Sequence, residues 1–260
     1  FTRLIIDNTQ EFETVPNGYK GPLYLEISPR TFSILVRTGS RLNQLRFGLG
    51  NYFISDKKME ELQLKHGLVR ENDSKILSDK VQNGLPLSVD LKGEDGVLGF
   101  KAKKHSKLID CDKPGNYPSD LFWEKITNQD IIMSNDKKNR SLVLSPDAFY
   151  ILSSKEYVSV PPNLAAEMRP YDTKVGEFRA HYAGFFDPGF GLSELNAAKT
   201  KAVLEVRSHD VPFLIEDGQT ICRLIYEPMA KPPRELYGQR EGKNNYQSQG
   251  LKLSKHFVQN

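Results

Sequence analysis

The stretch "VLEVRSHDVPFLIEDGQTICRL" (Val203–Leu224) repeats the pattern of an earlier stretch, "LYLEISPRTFSILVRTGSRLNQL" (Leu23–Leu45). The same offset of 179 residues separates Glu26 from Glu205, and the turn glycines of the two copies align at that offset too. In each copy, short apolar runs alternate with turn-forming residues, a pattern typical of three short strands, the first of which carries the Glu. The shared order of residues therefore predicts that one β-rich unit occurs twice in the chain.

The composition is that of a globular protein. The chain has 260 residues, of which 38% are hydrophobic and 27% are charged, and it is long enough for two modest domains. Its 15 Pro and 19 Gly favour turns and short strands over long helices. The net charge of +3 is too small for a nucleic-acid-binding protein, but it is compatible with a local pocket for a small anion.

The sequence lacks the usual signals for export or membrane insertion. It has no long apolar run, and its start, "FTRLIIDNTQ", has neither a basic region nor a cleavage pattern. We therefore expect a cytoplasmic protein without a membrane partner.

Because Phe1 lies inside an apolar run, we also expect the chain to begin partway through a domain. Cys111 and Cys222 are too few for a disulfide framework, and we expect free thiols.

The chain divides into four predicted segments. The stretch Ser55–Leu68 has Met59, Leu62 and Leu64 among charged residues and a Ser and Asp at its start, which predicts one short helix. The stretch Leu142–Met168 alternates apolar runs with proline breaks, which predicts two further strands. The predicted segments are the C-terminal part of a first unit (1–54), a helical linker (55–84), a second unit (85–230) and a polar tail (231–260).

Several common catalytic motifs are absent from the sequence. There is no HxE followed by PCxxC, which zinc-dependent base deaminases use to hold their metal, and no GxSxG, GxxxxGK[ST] or GxGxxG. A zinc site, a serine triad, a P-loop and a Rossmann site are therefore not predicted. The remaining features are carboxylates in strands, one compact Asp-Pro-Gly turn and scattered basic residues. Such a set suits acid–base chemistry on a phosphorylated ligand.

Two carboxylates stand out in the second unit. The segment "AHYAGFFDPGFG" (Ala180–Gly191) places Asp187 at the start of a tight reversal, here called the DPGFG turn. Strand alternation puts Leu204 and Val206 on one face and Glu205 on the other. From the residues alone, an ordinary turn Asp and a solvent-facing Glu remain the alternatives.

An ordered set of motifs resembles a known family. The segments "RPYDTKVGEFRAHYAGFFDPGFG" (Arg169–Gly191), "AVLEV" (Ala202–Val206) and "EDGQTICRLIYEPM" (Glu216–Met229) resemble the core of the deoxycytidine triphosphate deaminases. "LPLSVDLKG" (Leu85–Gly93) and "NNYQSQGLKLSKHF" (Asn244–Phe257) extend the resemblance over nearly the whole chain. It implies a mainly β fold, with two tandem deoxyuridine triphosphatase-like β-barrel or jelly-roll-type repeats and few short helices. The tandem order is similar to that of the longer, duplicated bacterial members.

The resemblance also implies roles for individual residues. The catalytic Glu of the family falls on Glu205, with Glu26 of the first copy as the alternative. The Asp that receives the 3'-hydroxyl of the deoxyribose, and helps to reject a ribonucleotide, falls on Asp187. The basic residues that contact the triphosphate fall on Arg169 and Lys174.

Further implied contacts hold the base and close the site. The closing Tyr and Gln of the family tail resemble Tyr246 and Gln249, and Tyr237 resembles an upstream Tyr that contacts the nucleotide. Main chain around Ala183 and Val203 is expected to hold the cytosine. The tail is thus expected to close on the nucleotide site.

The implied activity is the hydrolytic deamination of dCTP to dUTP and ammonia, with Glu205 activating the water that attacks C4. The resemblance further implies Mg²⁺ bound through the triphosphate, no zinc, dCTP and dUTP as ligands, no nucleic-acid partner, and a homo-oligomer with sites between repeats or subunits. Two alternatives stay open. One is a diphosphohydrolase that acts on dUTP or dCTP, and the other is a non-catalytic nucleotide-binding module.

The sequence departs from the family pattern in the phosphate motif. Pro170 and Tyr171 replace two serines, and Lys174 replaces an Arg, which keeps the charge but loses the bidentate geometry. In the first copy, Pro16 occupies the position of the turn Asp. The corresponding Ser-containing motif of the first copy would precede Phe1, and we expect sites that form between copies.

Overall fold

The computed structural model is mainly β, which confirms the fold class predicted from the sequence. Its secondary structure consists of short strands, two 3₁₀ helices and one α-helix in the part of the chain that is described. The described residues are 1–50, 52–71, 81–93, 96–136, 138–170, 179–181, 184–192, 199–208, 210–239, 246–247 and 250–258.

The elements follow one another in chain order. The first are β1 (Thr2–Ile5), β2 (Tyr24–Ile27), β3 (Ile34–Leu35), α1 (Asp56–His66), β4 (Val69–Arg70), β5 (Leu85–Ser88), β6 (Val97–Ala102) and β7 (Ile109–Asp110). Then come a 3₁₀ helix (Ser119–Leu121), β8 (Trp123–Thr127), a second 3₁₀ helix (Asn128–Asp130), β9 (Ile132–Met133), β10 (Arg140–Leu144) and β11 (Phe149–Val158). The last are β12 (Leu164–Pro170), β13 (Arg179–His181), β14 (Phe185–Phe186), β15 (Lys201–Arg207), β16 (Phe213–Glu216) and β17 (Thr220–Pro228).

The predicted helix forms as α1. The side chain of Ser55 caps its first turn by accepting from the N–H of Lys58, and Gly67 ends it in a left-handed conformation with φ of 58°. Met59 is only 1% exposed and belongs to the main core, whereas Leu64 is 61% exposed. The helix and β4, which pairs with β11, thus pack against the second unit.

The main core contains residues from the two largest sheets. One sheet has the strand order β13-β15-β11-β6-β8, with β4 also paired to β11, and the other has the order β14-β12-β17-β5. Leu204 and Val206 of β15, Met168 of β12 and Leu224 of β17 are at most 1% exposed. The alternation read from the sequence is therefore confirmed on β15, where Leu204 and Val206 fill the core.

A second apolar cluster covers the other face of the larger sheet. This aromatic cluster consists of Ile109, Phe122, Trp123, Ile151, Leu253 and Phe257, and Phe32 of the first unit packs against it. The Phe32 ring lies edge-on to its neighbours, with its centroid 5.4 Å from that of Phe122 and 5.2 Å from that of Trp123. The first unit and the tail therefore meet over this face of the sheet.

The two copies of the repeat differ in their third strand. The second copy forms all three predicted strands as β15, β16 and β17. The first copy forms only β2 and β3, and residues 40–49, all of which are described, belong to no helix or strand. The prediction of a third strand in the first copy was wrong. The physical reason is pairing, because β17 lies between β12 and β5, whereas residues 40–49 have no such partner strands.

The stretch Leu142–Met168 contains three strands instead of the two predicted. Ser145-Pro146 separates β10 from β11, and Pro161-Pro162 separates β11 from β12. Each proline break ends a strand because proline cannot donate to the ladder, so two breaks delimit three strands.

No helix among the described residues is long and apolar enough to cross a membrane.

Candidate active site

Glu205 is a partly buried carboxylate on the face of β15 opposite the main core. In the register of the sheet it lies opposite Ile151 of β11, a member of the aromatic cluster. Directly opposed residues of an antiparallel pair share a face, so the aromatic cluster covers the side that carries Glu205. Burial raises the pKa of the Glu205 carboxyl from 4.5 to about 7, and the amino group of Phe1 opposes this rise. Such a carboxyl can both accept and donate a proton near neutral pH.

The tail lies beside Glu205. Burial raises the pKa of the Tyr246 hydroxyl, and the neighbouring Glu205 carboxylate adds to this rise. The N–H of Tyr246 donates to the hydroxyl of Tyr237 at 3.1 Å. The hydroxyl of Tyr246 accepts from the N–H of Lys255 at 3.3 Å. The two tyrosines singled out in the sequence are therefore in contact, and one of them lies near Glu205.

The DPGFG turn presents Asp187 on the surface. The N–H of Phe190 donates to the Asp187 carbonyl at 3.0 Å, and the N–H of Tyr237 donates to the Pro188 carbonyl at 2.8 Å. Gly189 has φ of +101°, and a Cβ there would lie 2.7 Å from the carbonyl oxygen of Tyr237, so the turn requires glycine. Burial raises the pKa of the Tyr237 hydroxyl, with a smaller contribution from Asp187. Tyr237 thus connects the turn to the tail.

Gln247, which the sequence did not single out, links the tail to the DPGFG turn. Its side-chain oxygen accepts from the N–H of Gly191 at 3.1 Å, and its side-chain nitrogen donates to the carbonyls of Gly189 at 3.3 Å and Leu192 at 2.5 Å. These bonds fasten the tail to the DPGFG turn. The available signal was an amide side chain directly after Tyr246, because an amide can pair with both donors and acceptors of an irregular main chain.

Arg169, predicted to contact the triphosphate, lies on β12. It stands opposite Arg223 of β17 in the register of the sheet. Its guanidinium carbon is 5.4 Å from the centre of the Phe53 ring. The same sheet reaches the DPGFG turn through β14, which pairs with β12. The contact between Arg169 and phosphate stays a prediction.

Comparison with known proteins decides the family. A family model described as "2'-deoxycytidine 5'-triphosphate deaminase (DCD), C-terminal domain" matches residues 55–257, and the N-terminal domain of the same family matches residues 1–51. The chain belongs to the deoxycytidine triphosphate deaminase family. The resemblance carried by the sequence motifs is thereby confirmed.

Individual members of the deoxycytidine triphosphate deaminase family are also similar to the chain. The "dCTP deaminase, dUMP-forming" of Methanobrevibacter smithii is 27% identical over 75% of this chain and 90% of that protein. The protein of the same name from Methanosphaera stadtmanae is 26% identical over 71% of this chain and 87% of that protein. The crystal structure of the 2'-deoxycytidine 5'-triphosphate deaminase from Agrobacterium tumefaciens matches with a TM-score of 0.76 and 48% identity over 90% of this chain. The chain spans 65% of the Agrobacterium protein.

The structure describes only part of the set of residues matched to this deaminase family. Lys174, Ala183 and Gln249 lie outside the described residues, as does Tyr171 of the altered phosphate motif. Val203 is described, and its side chain packs against the aromatic cluster two residues before Glu205. The described part of the predicted set is therefore Arg169, Asp187, Val203, Glu205, Tyr237 and Tyr246, together with Glu26.

The repeat counterpart of Glu205 has a different environment. Glu26 lies on β2 opposite Arg3 of β1, and the two side chains form an ion pair at 3.3 Å. The side chain of Glu26 is 45% exposed. Glu205, in contrast, lies opposite Ile151 of the aromatic cluster in the register of the sheet. The same position of the repeat thus holds an exposed ion pair in one copy and a partly buried carboxyl with a raised pKa in the other, which favours Glu205 for acid–base chemistry.

The binding of Mg²⁺ through the nucleotide triphosphate stays a prediction. Among the residues that the structure describes, no group of three or more His, Cys, Asp or Glu is placed to hold a metal ion. Asp187 and Arg169 fit a nucleotide that brings its own Mg²⁺, because one is an exposed acceptor and the other a cation.

Proposed function

We propose that this chain hydrolytically deaminates dCTP to dUTP and ammonia. The observation that carries the proposal is the partly buried carboxyl of Glu205, whose pKa of about 7 suits a general acid and base. It lies near the tail residue Tyr246 in a chain of the deoxycytidine triphosphate deaminase family.

The proposed reaction assigns each proton transfer to Glu205. The carboxylate takes a proton from water as the oxygen of that water attacks C4 of cytosine, and the proton passes to N3. Glu205 then takes the remaining proton of the new hydroxyl and gives it to the amino group, so that ammonia leaves and the C4 carbonyl of dUTP forms. A pKa near neutrality lets one carboxyl perform both transfers.

The surrounding residues bind and orient the nucleotide in this proposal. Asp187 accepts a hydrogen bond from the 3'-hydroxyl of the deoxyribose, and Tyr237 and Tyr246 close the tail over the nucleotide. Arg169 and Lys174 contact the triphosphate. A Mg²⁺ that enters with the nucleotide neutralises part of its phosphate charge.

The site is proposed to form between units of a cytoplasmic homo-oligomer. Support comes from the position of Phe1, a residue of the first unit that lies near Glu205 of the second. Phe32 gives further support, because this residue of the first unit packs on the aromatic cluster that covers the same face.

The test is the release of ammonia from dCTP by the purified chain, with CTP as the matched control. We expect ammonia from dCTP and far less from CTP, because the site binds the sugar through Asp187. Tight dCTP binding without any ammonia release contradicts the proposal and favours a non-catalytic nucleotide-binding module.

A second candidate is deamination that continues to dUMP. It is favoured by the relatives from Methanobrevibacter smithii and Methanosphaera stadtmanae, which are named "dCTP deaminase, dUMP-forming". Measuring pyrophosphate beside ammonia separates the candidates. Ammonia alone indicates dUTP as the product, equal amounts of both indicate dUMP, and pyrophosphate alone indicates a diphosphohydrolase.

A further inference from the structure

Arg46, a residue of the first unit, contacts three strands of the second unit. One guanidinium nitrogen donates to Oε2 of Glu227 on β17 at 2.6 Å, and the other donates to Oε2 of Glu167 on β12 at 2.8 Å. The guanidinium carbon lies 3.9 Å from the centre of the Phe185 ring on β14. A single planar group therefore ties these strands together with two ion pairs and one stacking contact.

The strand β14 is short and pairs with one neighbour. It contains only Phe185 and Phe186, which lie opposite Glu167 and Ala166 of β12 at the edge of the four-stranded sheet. A two-residue edge strand has few ladder hydrogen bonds, so its position depends on side-chain contacts. Phe185 precedes Asp187 by two residues. The stacking of Arg46 on Phe185 therefore acts on the strand that leads into the DPGFG turn.

The charges around Arg46 make its position specific. Burial raises the pKa of Glu227, Glu167 adds to this rise, and Arg46 opposes it. Glu227 is only 7% exposed, and its Oε1 has no hydrogen-bond partner among the described residues. Removing Arg46 would leave two neighbouring carboxylates without the cation that bridges them. The two carboxylates therefore hold the guanidinium of Arg46 between them.

We propose that Arg46 is a positioning residue through which the first unit holds the DPGFG turn in the geometry that receives the deoxyribose. The first unit thus contributes to sugar recognition without touching the nucleotide. The role in sugar recognition rests on the proposed function, whereas the hold on the turn does not.

The first test is amide hydrogen exchange of the segment 184–192 in Arg46→Ala. The matched control is Arg37→Ala, since Arg37 is also in the first unit and forms a bidentate ion pair with Asp110 at 2.6 and 2.9 Å, away from β14. We expect exchange about tenfold faster in the Arg46 variant and near the wild-type rate in the control. Wild-type exchange in the Arg46 variant, or equal acceleration in both variants, overturns the proposal.

A second variant keeps the test decisive if Arg46→Ala folds poorly. Arg46→Lys retains a positive charge but loses the planar stack and the paired hydrogen bonds. We expect its exchange over residues 184–192 to fall between those of the wild type and the alanine variant. Exchange at the wild-type rate would show that the guanidinium contacts do not hold the turn.

The role in sugar recognition has its own readout. Arg46→Ala should raise KM for dCTP about tenfold with a smaller change in kcat, and the preference for dCTP over CTP should fall, because the turn carries Asp187. Arg37→Ala should leave both unchanged. An unchanged KM and preference in Arg46→Ala overturns this role. If the wild-type chain releases no ammonia from dCTP, the proposed function fails, and the exchange experiment still decides whether Arg46 holds the turn.

Discussion

At the scale of single residues, the environment of Glu205 decides its chemistry. The family motif in the sequence identified the position, but its burial could not be read from the strand itself. Alternation only places Glu205 on the face opposite Leu204 and Val206. The covering side chains come from distant segments, including Phe257 in the tail and Phe32 in the first unit. A property that depends on such contacts is not encoded locally.

The raised pKa of Glu205 predicts a pH-dependent effect on stability. Its carboxyl has a pKa of about 7 in the folded chain and 4.5 when solvated, so the folded state disfavours the charged form. The resulting loss of stability begins above pH 4.5, grows as the pH rises to 7 and is complete above that value. Glu205→Gln cannot ionise at this position and so does not lose this stability. Its free energy of unfolding, relative to that of the wild type, should therefore be about 2 kcal/mol higher at pH 8 than at pH 5.

Denaturant unfolding of the wild type and of Glu205→Gln at both pH values measures this difference. Glu26→Gln is the control, because Glu26 is exposed. A gain in stability that is the same at pH 5 and pH 8 would contradict a raised pKa of the Glu205 carboxyl.

At the scale of elements, the first unit and the tail share one anchoring site. The Phe32 ring lies 6.0 Å from that of Phe257, and both contact Trp123. The tail is tied at its other end by Gln247, which binds the main chain of Gly189 and Leu192. The described residues of the tail therefore pack against the rest of the chain, and closure over the nucleotide site stays a prediction.

Removal of the Phe32 ring tests this anchoring. Phe32→Ala should destabilise the protein by about 2–4 kcal/mol and accelerate hydrogen exchange over residues 250–258, because a buried aromatic contact is lost. Phe12→Ala is the matched control, since Phe12 is also in the first unit but is 59% exposed. Equal effects of the two substitutions would show that Phe32 does not anchor the tail.

The sequence was informative about elements wherever the signal is local. Ser55 and Gly67 delimit α1 with a cap at each end, and the prolines separate β10, β11 and β12 once both breaks are counted. The third strand of the first copy was predicted and is absent, because a strand forms only where a partner strand lies beside it. Partner strands depend on the whole fold, so two similar stretches of sequence can form different numbers of strands.

At the scale of the whole molecule, the two Glu positions of the sequence repeat have different environments. Glu26 forms an exposed ion pair with Arg3, and Glu205 lies under a cluster to which the first unit contributes. Arg46 and Phe32 show that the first unit packs on the second as part of its structure. These contacts favour a supporting role for the first copy, and Glu205 of the second copy stays the predicted catalytic residue.

The measurement that tests this assignment most directly is ammonia release from dCTP by two matched variants. Glu205→Gln should lose ammonia release by a factor of about 10³ or more while it still binds dCTP, because the amide cannot take a proton from water. Glu26→Gln, the same change at the equivalent position of the first copy, should retain wild-type turnover. Retained turnover in Glu205→Gln, or its loss in Glu26→Gln alone, would contradict the account.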